Sequence, residues 1–116
     1  MRKIYHLSTC NTCKKIIKAL NDGAGFELQD IKTVAITEAQ LSEMYALAGS
    51  YEALFSRRSR KYRPMGLHEK TLTEADYKVL IFGDYSFLKR PVVIIDGHIF
   101  IGNAQKTITA AQAMLT

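Results

Sequence analysis

Ile4-Tyr5-His6-Leu7-Ser8-Thr9-Cys10-Asn11-Thr12-Cys13-Lys14-Lys15 holds both cysteines of the 116-residue chain. The apolar run before Ser8 reads as a strand, and the hydroxyl-rich Ser8-Thr9 as the turn that leaves it. A helix then starts near Asn11, which puts Cys10 at its N-terminus. Unpaired backbone N–H groups and the positive end of the macrodipole favour negative charge at that point. A thiol placed there ionises more easily than a free one, and the thiolate is the reactive form. Cys13 follows one turn later on the same face, about 5–6 Å away between Cβ atoms. That is near what a disulfide requires. The pair therefore reads as a redox or nucleophilic site, with Cys10 attacking and Cys13 available to resolve.

Blander readings of the same pair carry less weight. Zinc needs two further ligands, but there is no third cysteine, and His6, His68 and His98 do not fall at H-x(3–5)-H spacing. No metal is expected. The Ser, Thr, Asn and Lys flanks argue against two cysteines that merely pack as small hydrophobes. A permanent disulfide would close a tiny loop in a chain whose start, Met1-Arg2-Lys3-Ile4, has no apolar signal region.

Size and composition set the frame. A chain of 116 residues, 47% hydrophobic and 23% charged, suits one domain spanning 1–116 with its own core. No run approaches the ~18 apolar residues of a membrane span, so no membrane partner is expected and the cytoplasm is the default location. The net charge of +5 suits an anionic substrate or partner. Much of it lies in Arg57, Arg58, Arg60, Lys61 and Arg63. Only Tyr62 interleaves an aromatic ring there, so nucleic acid is not the expected partner.

Along the chain, residues 3–7 read as a strand. Residues 11–22 read as a helix with Ile16, Ile17, Ala19 and Leu20 on one face. A second strand over residues 26–31 completes a βαβ unit. Thr37-Glu38-Ala39-Gln40 is a capping-box pattern that opens a helix with a Leu41, Met44, Tyr45, Ala48 stripe, ended by Gly49. A short helix over 51–55, the basic segment and a turn at Pro64-Met65-Gly66 follow. The next helix runs from Thr73 to about Phe82, with Val79, Leu80 and Phe82 expected to be buried. Val92 to Ile95 is a continuous β-branched run, the mark of a buried strand. Asp96-Gly97 signals a hairpin to a strand over 98–101, and a last helix covers about 104–115. This order predicts an α/β fold: a thioredoxin-like four-stranded mixed sheet flanked by helices. A helical insertion, about 37–83, lies between the βαβ unit and the C-terminal β-hairpin–helix.

Three stretches together resemble the arsenate reductase (ArsC)/Spx family. They are Tyr5 through Lys15, Arg57-Arg58-Ser59-Arg60-Lys61-Tyr62, and Phe87-Leu88-Lys89-Arg90-Pro91-Val92-Val93. They fall in the family's order, and the likeness runs the length of the chain. The resemblance implies that Cys10 is the nucleophile, that Arg58 and Arg90 surround it, and that Pro91 follows a cis peptide bond. Two departures stand out. Arsenate reductases of the family carry a third arginine where this chain reads Ile101-Gly102-Asn103, and they usually lack a cysteine at the position of Cys13. Spx-type regulators do have C-x-x-C but extend well past the final helix, and this chain ends at Thr116.

The implied chemistry is reduction by thiols. Backbone N–H groups of the Cys10–Cys13 turn would hold an oxyanion, and Arg58 and Arg90 would add charge-assisted hydrogen bonds. Thr9, Asn11, Thr12, Lys14 and Pro91 complete the anion-binding set, although the Ser8, Thr9 and Thr12 hydroxyls serve the turn equally well. Lys14 sits in the first helical turn, where a cation opposes the dipole, which hints at a nearby anion. No bound cofactor is expected; an external thiol such as glutathione with glutaredoxin, or thioredoxin, would return the electrons. The substrate would be a small oxyanion or a thiol/disulfide. The alternative is an Spx-like redox sensor, in which the cysteine pair switches binding to RNA polymerase.

Overall fold

The elements run β1 (Arg2–His6), α1 (Asn11–Ala19), β2 (Glu27–Asp30), α2 (Glu38–Ala48), α3 (Glu74–Gly83), β3 (Val92–Ile95), β4 (His98–Ile101) and α4 (Gln105–Ala113). The computed structural model describes all of residues 1–116. They gather into two units, one of residues 1–35 with 90–116 and one of residues 36–89. No helix is long and apolar enough to cross a membrane.

The first unit holds the sheet, ordered β2-β1-β3-β4. β2 lies parallel to β1, with His6 opposite Asp30, and the crossover that a parallel pair requires is α1. β3 runs antiparallel to both β1 and β4. This is the mixed, thioredoxin-like sheet that the order of sequence signals predicts. Alternation sets the core on one face. Ile4, Val93 and Ile95 meet Ile16 and Leu20 of the first helix and Ala111 of α4, with Phe26, Phe100 and Ile108 around them. Burying each large aliphatic side chain contributes about 1.5–3 kcal/mol. All four residues of β3 are buried, as its unbroken β-branched run predicts. Asp96 (φ 48°) and Gly97 (φ 87°) make the two-residue turn to β4, both with the positive φ that a type I′ hairpin demands.

The first helix stops sooner than its composition suggests. It ends at Ala19, and Leu20 turns wholly into the core. Asn21 and Asp22 then take left-handed conformations (φ 57° and 53°), which short polar side chains tolerate best.

In the second unit, α2 and α3 each begin with a complete capping box, Thr37 with Gln40 and Thr73 with Asp76. Gly49 (φ 85°) ends α2. The buried face of α3 differs from expectation. Tyr77 and Ile81 are buried, whereas Val79 and Phe82 are 70% and 52% exposed. The aromatic cluster decides this: the Tyr77 ring lies 4.8 Å from Phe55, which stacks on Phe87 at 5.4 Å. On α2 only Leu41 and Met44 are buried, and Tyr45 stacks outward on Tyr51. The basic segment is not a run of free charges either. Arg57 donates to Glu52 (2.8 Å) and to the Tyr77 hydroxyl (3.0 Å), and Lys61 pairs with Asp84.

Candidate active site

The site is built where β1 gives way to α1. The Cys10 N–H donates to the Leu7 carbonyl (3.1 Å), closing a turn, and the Lys14 N–H donates to the Cys10 carbonyl (3.1 Å), opening the helix. Cys10 is thus the N-cap residue, in extended conformation (φ −93°, ψ 113°). Its Sγ accepts the Cys13 N–H at 3.5 Å, the role a serine or aspartate oxygen usually fills. No acidic side chain occupies the first turn. The dipole and the free N–H groups are left to the sulfur and to whatever anion approaches it.

The two thiols are driven apart. Cys10 is half-buried, and that burial pushes its thiol up. The Cys13 N–H and thiol, the Thr12 N–H and the Arg90 charge outweigh it, leaving Cys10 below the ordinary thiol value. Cys13 is wholly buried, and burial, helped by the neighbouring Cys10 sulfur, pushes it up to about 11. Both are free thiols. The arrangement sets a more acidic sulfur at the helix start beside one that holds its proton more tightly. Once Cys10 is tied up in an adduct, its charge no longer opposes ionisation of Cys13.

That asymmetry has a measurable consequence for stability. Between about pH 9 and about pH 11 an unfolded chain ionises Cys13 while the folded chain keeps it neutral. The unfolded state then binds fewer protons, so stability is full below this window and falls as pH rises through it. Urea denaturation at about pH 8 and about pH 10.5 is expected to show a loss on the order of 2 kcal/mol that the Cys13→Ala variant lacks.

Arg90 supplies the cation from the far end of the first unit. The Arg90–Pro91 peptide bond is cis, Pro91 is buried, and its carbonyl accepts the Gly102 N–H at 2.9 Å. Nη1 of Arg90 is buried without a hydrogen-bond partner, alone among the side-chain polar atoms of the chain. An orphaned buried N–H costs free energy, and an anion would relieve it.

Cys10, Cys13, the Thr12 N–H and Arg90 thus act on one another within the first unit. Thr9, Asn11, Thr12 and Lys14 are exposed around the turn. Arg58 belongs to the second unit, where it is exposed and its backbone N–H donates to Ser56 Oγ at 3.3 Å. One residue that the sequence does not single out is Asp30, at the end of β2. Its Oδ2 accepts the Ser8 hydroxyl at 2.5 Å and its Oδ1 the Lys32 N–H at 3.1 Å.

Comparison with known proteins matches residues 5–111 to the ArsC family. The chain belongs to that family. Its fold is similar to solved structures over nearly its whole length. One is a Staphylococcus aureus protein solved by solution NMR, at 29% identity and TM-score 0.76, covering 95% of this chain and 97% of that one. An arsenate reductase (ArsC) related protein from Brucella melitensis matches at 25% identity and TM-score 0.70, covering 94% and 92%. An arsenate reductase from Vibrio cholerae matches at 17% identity and TM-score 0.79, covering 95% and 96%. No match was found among the curated proteins. Membership in the ArsC family is in keeping with an oxidoreductase that works through thiols.

Proposed function

We propose that this ArsC-family chain is a thiol-dependent reductase of a small oxyanion or of a thiol/disulfide substrate, acting in the cytoplasm. The observation that carries this reading is the Cys10 sulfur capping α1, held acidic there by N–H groups and by Arg90, whose Nη1 is buried and unpartnered. With arsenate, the Cys10 thiolate forms a sulfur–arsenic bond as an oxygen leaves as water. Cys13 gives up its proton and attacks the Cys10 sulfur. The sulfur–arsenic bond breaks with its electron pair on arsenic, which leaves as arsenite. Two electrons pass to arsenic and a Cys10–Cys13 disulfide remains. With a disulfide substrate, Cys10 forms the mixed disulfide and releases one thiolate, and Cys13 releases the second. An external thiol, glutathione with glutaredoxin or a thioredoxin, then reduces the Cys10–Cys13 bond.

Thr12 and Asn11 main-chain N–H groups cradle the anion in this scheme and the Lys14 ammonium adds its charge, with Thr9 at the turn and Pro91 fixing the segment that bears Arg90. The family motif adds Arg58 as a second guanidinium. Arg58→Ala is expected to raise KM for an anionic substrate about tenfold, the scale of one charge-assisted hydrogen bond. Titration of Cys10 by alkylation rate against pH tests the whole reading. The midpoint is expected below that of a free thiol, and arsenate is expected to protect the sulfur. An ordinary midpoint with no arsenate effect would refute it.

A further inference from the structure

Asp30 lies on β2, and its carboxylate reaches back across the sheet edge to the loop that carries the nucleophile. The register places it opposite His6, so the end of β2 stands beside the exit of β1. Main-chain bonds already join these ends: the Ile31 N–H donates to the His6 carbonyl at 3.0 Å. The carboxylate adds two more ties. Oδ2 takes the Ser8 hydroxyl at 2.5 Å and Oδ1 takes the Lys32 N–H at 3.1 Å. One oxygen therefore fixes the turn before Cys10, and the other fixes the turn that leaves β2. Ser8 lies within the turn closed by the Cys10 N–H on the Leu7 carbonyl, two residues before the sulfur that must meet the Cys13 N–H.

We propose that Asp30, acting through Ser8, is a positioning residue that holds the residue 7–10 turn so that the Cys10 sulfur stays in register with the N–H groups at the start of α1. The proposal rests on the thiolate reading of Cys10 but not on any substrate. Asp30 does not touch the reacting sulfur. Its carboxyl is held below the usual carboxylate range, first by the Ser8 hydroxyl and then by the Lys32 N–H, with His6 adding its charge. It is therefore an ionised acceptor at neutral pH. A through-space role would have the opposite sign from a positioning role. Removing a nearby negative charge favours a thiolate, whereas loosening the turn takes donors away from it.

The sign of the change in Cys10 acidity decides between them. In the full chain, the Cys10 alkylation rate is followed from about pH 5 to about pH 10, with peptide mapping to separate it from buried Cys13. Asp30→Ala is expected to raise the Cys10 midpoint by about half a pH unit to one, the scale of one hydrogen bond. Ser8→Ala should raise it by a similar amount, and the double variant by no more than either alone. Asp30→Asn keeps an oxygen for the Ser8 hydroxyl and should stay near the parent chain. A lowered or unchanged midpoint in Asp30→Ala and Ser8→Ala overturns the proposal, as does strict additivity in the double variant. Should Asp30→Ala fail to fold, Ser8→Ala and Asp30→Asn carry the same test, since both leave the β1–β2 pairing intact. The reductase reading fails separately: a parent chain that reduces neither arsenate nor disulfides while the midpoint shifts persist leaves the positioning role standing.

Discussion

Replacing Cys10 by serine is expected to abolish reduction of arsenate and of small disulfides, a loss of at least about 10³-fold. The reasoning is chemical before it is structural. A serine oxygen stays protonated at neutral pH and cannot accept or pass on the two electrons that the reaction moves, so no slow version of the same path survives. The fold should be indifferent. Cys10 caps α1 through one long Sγ contact, and serine is a better N-cap than cysteine, so the melting temperature should hold or rise slightly. Cys13→Ser makes the contrast. It leaves the first covalent step in place, so one equivalent of substrate is still consumed. Turnover then waits on an outside thiol. Because Cys13 is wholly buried, that variant also introduces a hydroxyl into an apolar position and should lose stability. Activity in Cys10→Ser comparable with the parent chain would remove the nucleophile from the mechanism.

Much of this site can be read along the chain, because its parts are local. The strand–turn–helix around Cys10, the Asp96-Gly97 hairpin and the capping boxes at Thr37 and Thr73 all rest on interactions within four residues. Cys13 is instructive. Its polar neighbours Thr12, Lys14 and Lys15 suggest an exposed cysteine, yet it continues inward as the first member of a Cys13, Ile16, Leu20 stripe at helical spacing. The stripe was legible; the flanks obscured it. The misses are residues whose environment is assembled from distant segments. Hydrophobicity alone ranks Val79 and Phe82 above Tyr77 for burial on α3. Tyr77 is chosen instead by Phe55, and its hydroxyl by Arg57. Asp30 is invisible for the same reason, since its bond to Ser8 spans 22 residues and exists only once β2 is in register with β1. Arg90 escaped this fate only because the resemblance of the Phe87-Leu88-Lys89-Arg90-Pro91-Val92-Val93 stretch to the ArsC/Spx family marks it.

Arg90→Met should lower kcat/KM for an anionic substrate by about 10–100-fold while leaving the folded state as stable as before or more so. These two outcomes come from one feature. Nη1 of Arg90 is buried with no partner, so the free chain carries an unsatisfied donor whose desolvation costs about 1–3 kcal/mol. Methionine fills a similar volume without that cost. A residue kept for stability would not be left in this state, whereas a residue kept for an anion would be, because substrate supplies the missing acceptor. The Cys10 sulfur also loses a cation that helps hold it ionised, so its alkylation midpoint should move upward in the same variant. Arg90→Lys separates charge from geometry: it should restore much of the thiolate acidity but little of the substrate affinity, since an ammonium cannot present the paired donors of a guanidinium. Calorimetry, alkylation and steady-state kinetics on the two variants give three independent readings. If Arg90→Met melts well below the parent chain with its kinetics unchanged, Arg90 is structural support and the site has lost its cation.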